Sequence, residues 1–264
     1  MCDHVKEWEE FVPKVNPAAE FFEIAGDFGD EMEIFREALH NAMDWGATEF
    51  RISVEVKSIN GKETLVITMS DNGIGMNKDV LQNNFWALGN SLSYDDADKI
   101  GEKGHGTKIY LRSTFVRVET SNGIESYESE CEGAYVALGE RKMHQPRIRL
   151  SEKAFPRGTK IIVEGYNLSD DFSSYTELRI KDYLGWFTKV GSVENQFSGH
   201  NMRDFKVYLK ALDKSNYTEV PMGHIFAKEN SNIPALLKEH PDNAVKYYVK
   251  KYLYQDEQFE KRPD

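Results

Sequence analysis

Between Asp30 and Trp45 the apolar residues Met32, Ile34, Phe35, Ala38, Leu39 and Ala42 recur at helical spacing, which predicts a helix with one buried face. Gly46 follows as its stop. Phe50, Ile52, Val54 and Val56 then alternate with polar residues as a half-buried strand does, and Asn60-Gly61 predicts a hairpin turn. The returning strand, Leu65, Ile67 and Met69, alternates in turn and delivers Asp71 to a bend at Gly73 and Gly75.

Lys78 to Leu88 reads as a helix, with Trp86 and Leu88 at core spacing, and the polar run Gly89 to Lys99 as a loop with little to bury. A glycine-rich stretch, Gly101 to Lys108, meets Ile109, Tyr110 and Leu111, which predict the opening of a buried helix. From Phe115 the pattern becomes β. It predicts a strand at Val116 to Glu119, a turn at Asn122-Gly123, a strand or two up to Leu138, then Arg147 to Leu150 and Lys160 to Glu164 after the turn Pro156-Arg157-Gly158. Residues 175 to 190 return to helical spacing, Phe205 to Leu212 alternates as a strand, and the charged, aromatic stretch Ile233 to Asp264 predicts a fraying terminal helix. Its Lys246 to Tyr254 portion interleaves bases and aromatics and is read as a half-buried helix.

Composition narrows the classes. With 33 basic against 44 acidic residues in 264, a net charge of −11, the module as a whole is a poor binder of phosphate backbones. Cys2 and Cys131 lack the spacing of a zinc site or a disulfide framework, which favours a reducing, cytoplasmic setting. No apolar run approaches a bilayer span, and a soluble protein is expected.

Candidate chemistry lies in three places. Glu37 and Asn41 are four apart, so both project from one helix face; such a pair suits triphosphate hydrolysis, a carboxylate activating water and an amide oxygen helping to hold Mg²⁺. Asp71, where a strand ends in a glycine-rich turn, is placed to accept a hydrogen bond from the exocyclic amine of adenine. The run KGHGTK, residues 103 to 108, offers backbone N–H groups to phosphates, and Thr107 before Lys108 separates it from a Walker A loop. Singly, each has a plainer explanation: a helical Glu is usually a solvated charge and a turn Asp usually caps its own backbone.

Taken in order, ExxxN on a helix, DNGIGM after a strand and GxKGxGxK before a helix resemble the nucleotide boxes of the GHKL superfamily, which includes gyrase B subunits, heat-shock chaperones, MutL proteins, MORC ATPases and histidine kinases. The stretch EALHNAMDWGATEFRISVE is most like the MutL and MORC style, with Asp44 and Ala47 in familiar places. Gly158-Thr159 resembles the family's late GT. The likeness covers roughly residues 30 to 165.

The resemblance implies an α+β fold, a two-layer α/β sandwich with a mixed, mostly antiparallel sheet and helices on one face. It divides the chain into an extension over 1–29, an ATP-binding core over 30–170, and 171–264 as completion of the core and start of a linking domain. Glu37 is then the general base and Asn41 the Mg²⁺ ligand. Asp71 reads adenine, assisted by Thr159; Gly73, Gly75 and Met76 shape the pocket; Asp44 and Asn84 belong to the site. Gly104, His105, Gly106, Thr107 and Lys108 line the phosphates, and residues 89 to 103 form a lid. Ser91 matches the lid serine, but where many relatives carry a lysine just before it this chain has Asn90, a contact that Lys103 or Lys108 would have to replace. A lysine for the γ-phosphate has only positional candidates, Lys206, Lys210 and Lys228. The implied cofactors are ATP and Mg²⁺, the implied activity an ATPase cycle with an ATP-dependent homodimer, and the client, protein or DNA, is left open, with no membrane role. A non-hydrolysing ATP switch and, below it, a kinase of the histidine-kinase branch are the alternatives.

Overall fold

The structure, a computed structural model, describes residues 10–88, 105–191 and 205–223. Ser91, Lys103, Gly104 and Lys228, the whole lid stretch 89 to 103 and the tail from Ile233 lie outside the described residues.

Among the described residues eight strands form one sheet: β1 (Glu49–Ile59), β2 (Lys62–Asp71), β3 (Phe115–Ser121), β4 (Ser126–Glu132), β5 (Arg147–Leu150), β6 (Gly158–Glu164), β7 (Lys206–Lys210) and β8 (Thr218–Val220), in the order β5-β4-β3-β6-β2-β1-β7-β8. Only β1 and β7 run parallel; every other neighbouring pair is antiparallel, so the sheet is mixed and mostly antiparallel as expected. Register assigns the two faces. Phe50, Asp71, Thr159, Thr120 and Tyr127 share one row, and Ile52, Met69, Ile161, Val118 and Ser129 the next on the same face. That face carries nearly all of the sheet's buried apolar side chains. The opposite face carries ion pairs such as Lys160 with Glu119 and Arg147 with Glu130, the composition of a solvated surface.

Against the apolar rows pack α1 (Pro17–Gly26), α2 (Glu33–Asp44) and α5 (Glu177–Phe187), with the short α3 (Lys78–Val80) and α4 (Ala134–Gly139) at the margins. α2 buries Ile34, Phe35, Ala38, Leu39 and Ala42, the stripe its spacing predicts. Its end is a Schellman closure: the Gly46 N–H bonds Met43 O and the Ala47 N–H bonds Ala42 O, with Gly46 at φ +70°. The hairpin between β1 and β2 turns on Asn60 at φ +52° and Gly61 at φ +80°, the left-handed pair that a two-residue turn demands.

Four elements differ from the sequence reading. α1 lies in what reads as an extension: Asn16 caps it through bonds from the Ala18 and Ala19 N–H groups, Pro17 opens it, and Ala18, Phe21 and Ala25 are buried. The strand expected up to Leu138 stops at Glu132, because Gly133 turns left-handed at φ +62° and Ala134 and Leu138, four apart, are buried as a helical pair. The helix expected from Lys78 continues beyond α3 as a π-helical turn, Leu81–Trp86. The helix expected at Ile109 is a single 3₁₀ segment, Gly106–Leu111, whose last four residues are all buried, which suits an element enclosed on every side.

Candidate functional site

α2 carries Glu37 and Asn41 on its stretch nearest the 3₁₀ segment. Glu37 Oε1 accepts two bonds from its neighbour Arg36, from Nε at 3.1 Å and Nη2 at 3.0 Å, and Arg36 also bridges Glu33 at 2.7 Å. The other oxygen, Oε2, lies against Gly106, where an added Cβ would come within 2.1 Å of it. A bare backbone at position 106 is thus a condition for the carboxylate to sit where it does. His40, on the same helix, is pushed down to about 4 by burial, reinforced by Arg36, and is neutral near pH 7.

Asp71 ends β2 on the helix-facing row. Its Oδ1 accepts the Gly73 N–H at 2.8 Å, and the Thr159 N–H also reaches the carboxylate. Burial nevertheless pushes its carboxyl up to about 6, outweighing those two donors. The turn beyond it leaves no room for side chains. A Cβ on Gly75, at φ +69°, would meet Ser121 O at 1.9 Å, and one on Gly158, at φ +129°, would meet Asp71 O at 2.1 Å. Asn72 closes the outer side, its Oδ1 accepting the Thr48 and Glu49 N–H groups at 2.8 and 2.9 Å. Met76 is partly buried against the core, and its N–H bonds Thr120 Oγ1 at 2.9 Å.

The 3₁₀ segment follows His105 directly and is tied to the π-helical turn. Thr107 Oγ1 donates to Phe85 O at 2.8 Å, and Lys108 Nζ donates to the same carbonyl at 2.8 Å and to Thr107 Oγ1 at 2.7 Å. Lys108 is 1% exposed, and burial pulls its ammonium down to about 7. Asn84 contributes its carbonyl to the same lysine at 3.4 Å. Tyr110, fully buried, stacks on Phe85 at 5.8 Å between centroids. Its hydroxyl makes no hydrogen bond within normal geometry among the described residues, yet it feels the Asn41 side chain and the charges of Glu37 and Asp71.

Glu37, Asn41, Asp71, Gly73, Gly75, Met76, Gly106 and Thr159 thus gather about α2, the end of β2 and the start of β6. Asp44 closes α2, half-buried. Thr107 and Lys108 face the Phe85 carbonyl, and Trp86 sits in the core with Nε1 donating to Ser129 Oγ at 2.9 Å. Lys206 and Lys210 alternate with the buried Val207 and Leu209 on β7, so they share the solvated face, across the sheet from Glu37. Two participants escape a reading of sequence alone. Arg36 had no signal beyond adjacency to Glu37; Thr120 did, as a hydroxyl in the buried alternation Val116, Val118, Thr120.

The set fits a nucleotide with magnesium. Asn41 and Glu37 offer hard oxygen donors one helical turn apart. Among the described residues no three His, Cys, Asp or Glu side chains form a cluster that could hold a metal ion. No helix among them is long and apolar enough to cross a membrane.

Comparison with known proteins places the chain in a family. Residues 30–164 match the family described as histidine kinase-, DNA gyrase B-, and HSP90-like ATPase. The chain is also 26% identical over 181 residues to the chaperone protein HtpG of Rickettsia rickettsii, strains Sheila Smith and Iowa, and to that of Rickettsia massiliae, strain Mtu5. The match covers 58% of this chain and spans about a quarter, 26%, of those relatives.

Proposed function

Because the chain belongs to the histidine kinase-, DNA gyrase B- and HSP90-like ATPases, the GHKL superfamily, we propose that it binds ATP between α2, the Asp71 turn and the 3₁₀ segment, and hydrolyses it with magnesium. The observation that carries the proposal is the meeting of Glu37 Oε2 with the bare backbone of Gly106, which puts a candidate base beside a candidate phosphate loop.

In this reading Asp71 accepts a hydrogen bond from the adenine amine, with its carboxylate oriented by the Gly73 and Thr159 N–H groups. Gly73, Gly75 and Met76 shape the base pocket, and Thr159 assists Asp71. Asn41 would hold Mg²⁺ through its amide oxygen; Asn84 would lie near the sugar and phosphates, and Asp44 belongs to the same site. When bound, the ion supplies charge neutralisation along the phosphates. Glu37 takes a proton from a water whose oxygen bonds the γ-phosphorus as the bond to the bridging oxygen breaks, giving ADP and phosphate. His105, Gly106 and Thr107 offer backbone to the phosphates, together with Ser91, Lys103 and Gly104 from outside the described residues. Phosphate contact by Lys108 would require Nζ to exchange the Phe85 carbonyl for a phosphate oxygen. Closure of 89 to 103 over the nucleotide and pairing of two copies on ATP, in a cytoplasmic cycle like that of a chaperone, complete the proposal.

A second reading, an ATP-binding switch without turnover, draws on a specific contact. Arg36 occupies Glu37 Oε1 with two bonds, and an oxygen engaged in that way is not free to take a proton from water. Phosphate release by the purified chain, compared with Glu37→Ala, separates the two. Hydrolysis lost in the variant with ATP binding retained supports the ATPase; equal release from both removes Glu37 as the base; and binding without release in the wild type leaves the switch. Sizing the chain with and without a non-hydrolysable ATP analogue tests the pairing.

A further inference from the structure

Thr120, fully buried near the end of β3, joins two separate parts of the Asp71 site through one hydroxyl. Its Oγ1 accepts the Met76 N–H at 2.9 Å, donates to Gly158 O at 3.1 Å, and lies 3.1 Å from Thr159 Oγ1. Register makes this meeting unavoidable, since Asp71, Thr159 and Thr120 occupy one row across β2, β6 and β3.

Proton counting then sets a direction. A threonine hydroxyl has one proton and two lone pairs. The Met76 N–H takes one lone pair of Thr120. If Thr120 gave its proton to Thr159, its oxygen would face the Gly158 carbonyl oxygen at 3.1 Å with no hydrogen between them, which is repulsive. With the proton on the Gly158 side, the second lone pair of Thr120 receives the Thr159 proton. Thr159, only half-buried, then presents lone pairs alone to the space beside Asp71.

We propose that Thr120 is a positioning residue that holds Thr159 as a hydrogen-bond acceptor, so that Asp71 and Thr159 together favour a purine with an exocyclic amine over one with a carbonyl there. Guanine would set its O6 against two acceptors, whereas adenine offers both an amine. The inference rests on the ATP-binding reading above and deepens it.

The test is the ratio of ATP to GTP affinity, measured by calorimetry on the whole chain. Thr120→Val is expected to cut that ratio roughly ten-fold, the scale of one misdirected buried hydrogen bond, and Thr120→Ser to restore it. Thr159→Ala, which leaves the bonds from Thr120 to Met76 and Gly158 in place, is expected to cut it similarly and carries the test should Thr120→Val fail to fold. In the Thr159→Ala background, Thr120→Val is expected to change the ratio no further. Equal loss of both nucleotides in Thr120→Val, an unchanged ratio in Thr159→Ala, or an undiminished effect of Thr120→Val in the Thr159→Ala background overturns the inference while ATP binding stands. A wild-type chain that binds neither nucleotide overturns the ATP-binding reading together with it.

Discussion

Glu37 Oε2 occupies the space that any side chain on residue 106 would need, 2.1 Å from the Cβ that Gly106 lacks. The atom displaced is the far end of a flexible side chain, so Gly106→Ala is expected to move the carboxylate at little cost in stability. We expect phosphate release to fall at least ~10-fold while the melting temperature stays within a few degrees. Gly158→Ala meets the Asp71 backbone carbonyl at φ +129° instead, where nothing can yield. It is expected to cost at least about 2 kcal/mol in denaturant unfolding.

Arg36 restrains the same carboxylate from its other side. Removing the guanidinium with Arg36→Ala strips Oε1 of both its bonds and frees the carboxylate to turn away from Gly106. Phosphate release is expected to fall several-fold with ATP affinity, read by calorimetry, little changed. Release equal to that of the wild type would show that Arg36 does not position the carboxylate.

Asp71 makes stability depend on pH in a direction opposite to that of a salt-bridged carboxylate. Its folded-state value, about 6, lies above the ordinary 3.8, so between these values the folded chain binds more protons than the unfolded one. Stability therefore falls as pH rises from about 4 to 6, and the full cost, about 3 kcal/mol, stands at pH 7. Asp71→Asn is expected to abolish that slope in urea titrations at pH 4.5, 5.5 and 7. It is also expected to weaken ATP binding, a trade of affinity for stability.

Lys108 gives a second window. Burial lowers its ammonium from 10.5 to about 7, so between these values the unfolded chain holds the extra proton. Stability is expected to rise with pH across that range, the cost of burying the charge being fully present below 7. The difference in unfolding free energy between wild type and Lys108→Met, measured at pH 7 and 9.5, isolates this term from other titrating groups. A difference that does not change with pH would show that the buried lysine keeps its ordinary value and stays charged across the range.

Much of this was legible in the chain itself. The α2 stripe, the Asn60-Gly61 turn and the alternation of β1 and β2 are local, set by side-chain period and by which residues tolerate left-handed backbone. The GHKL boxes were readable for the same reason, because each is a short run in which residue type and spacing state the chemistry. Where local pattern was ambiguous it misled. Residues 134 to 139 and 109 to 111 are apolar enough for either a strand or a longer helix, and contacts distant in sequence chose between them.

By itself, then, the sequence determined that Glu37 and Asn41 share a helix face, that Asp71 ends a strand, and that Gly75 lies in a turn and Gly106 in a glycine-rich stretch. Only the tertiary structure decided that Gly106 abuts Glu37, that Lys108 turns to the Phe85 carbonyl, and that Thr120 meets Thr159 and Met76. Periodicity along a chain fixes which way a residue faces. What it faces depends on strand order and register, and here β3 reaches β2 only through β6, a strand nearly ninety residues beyond β2.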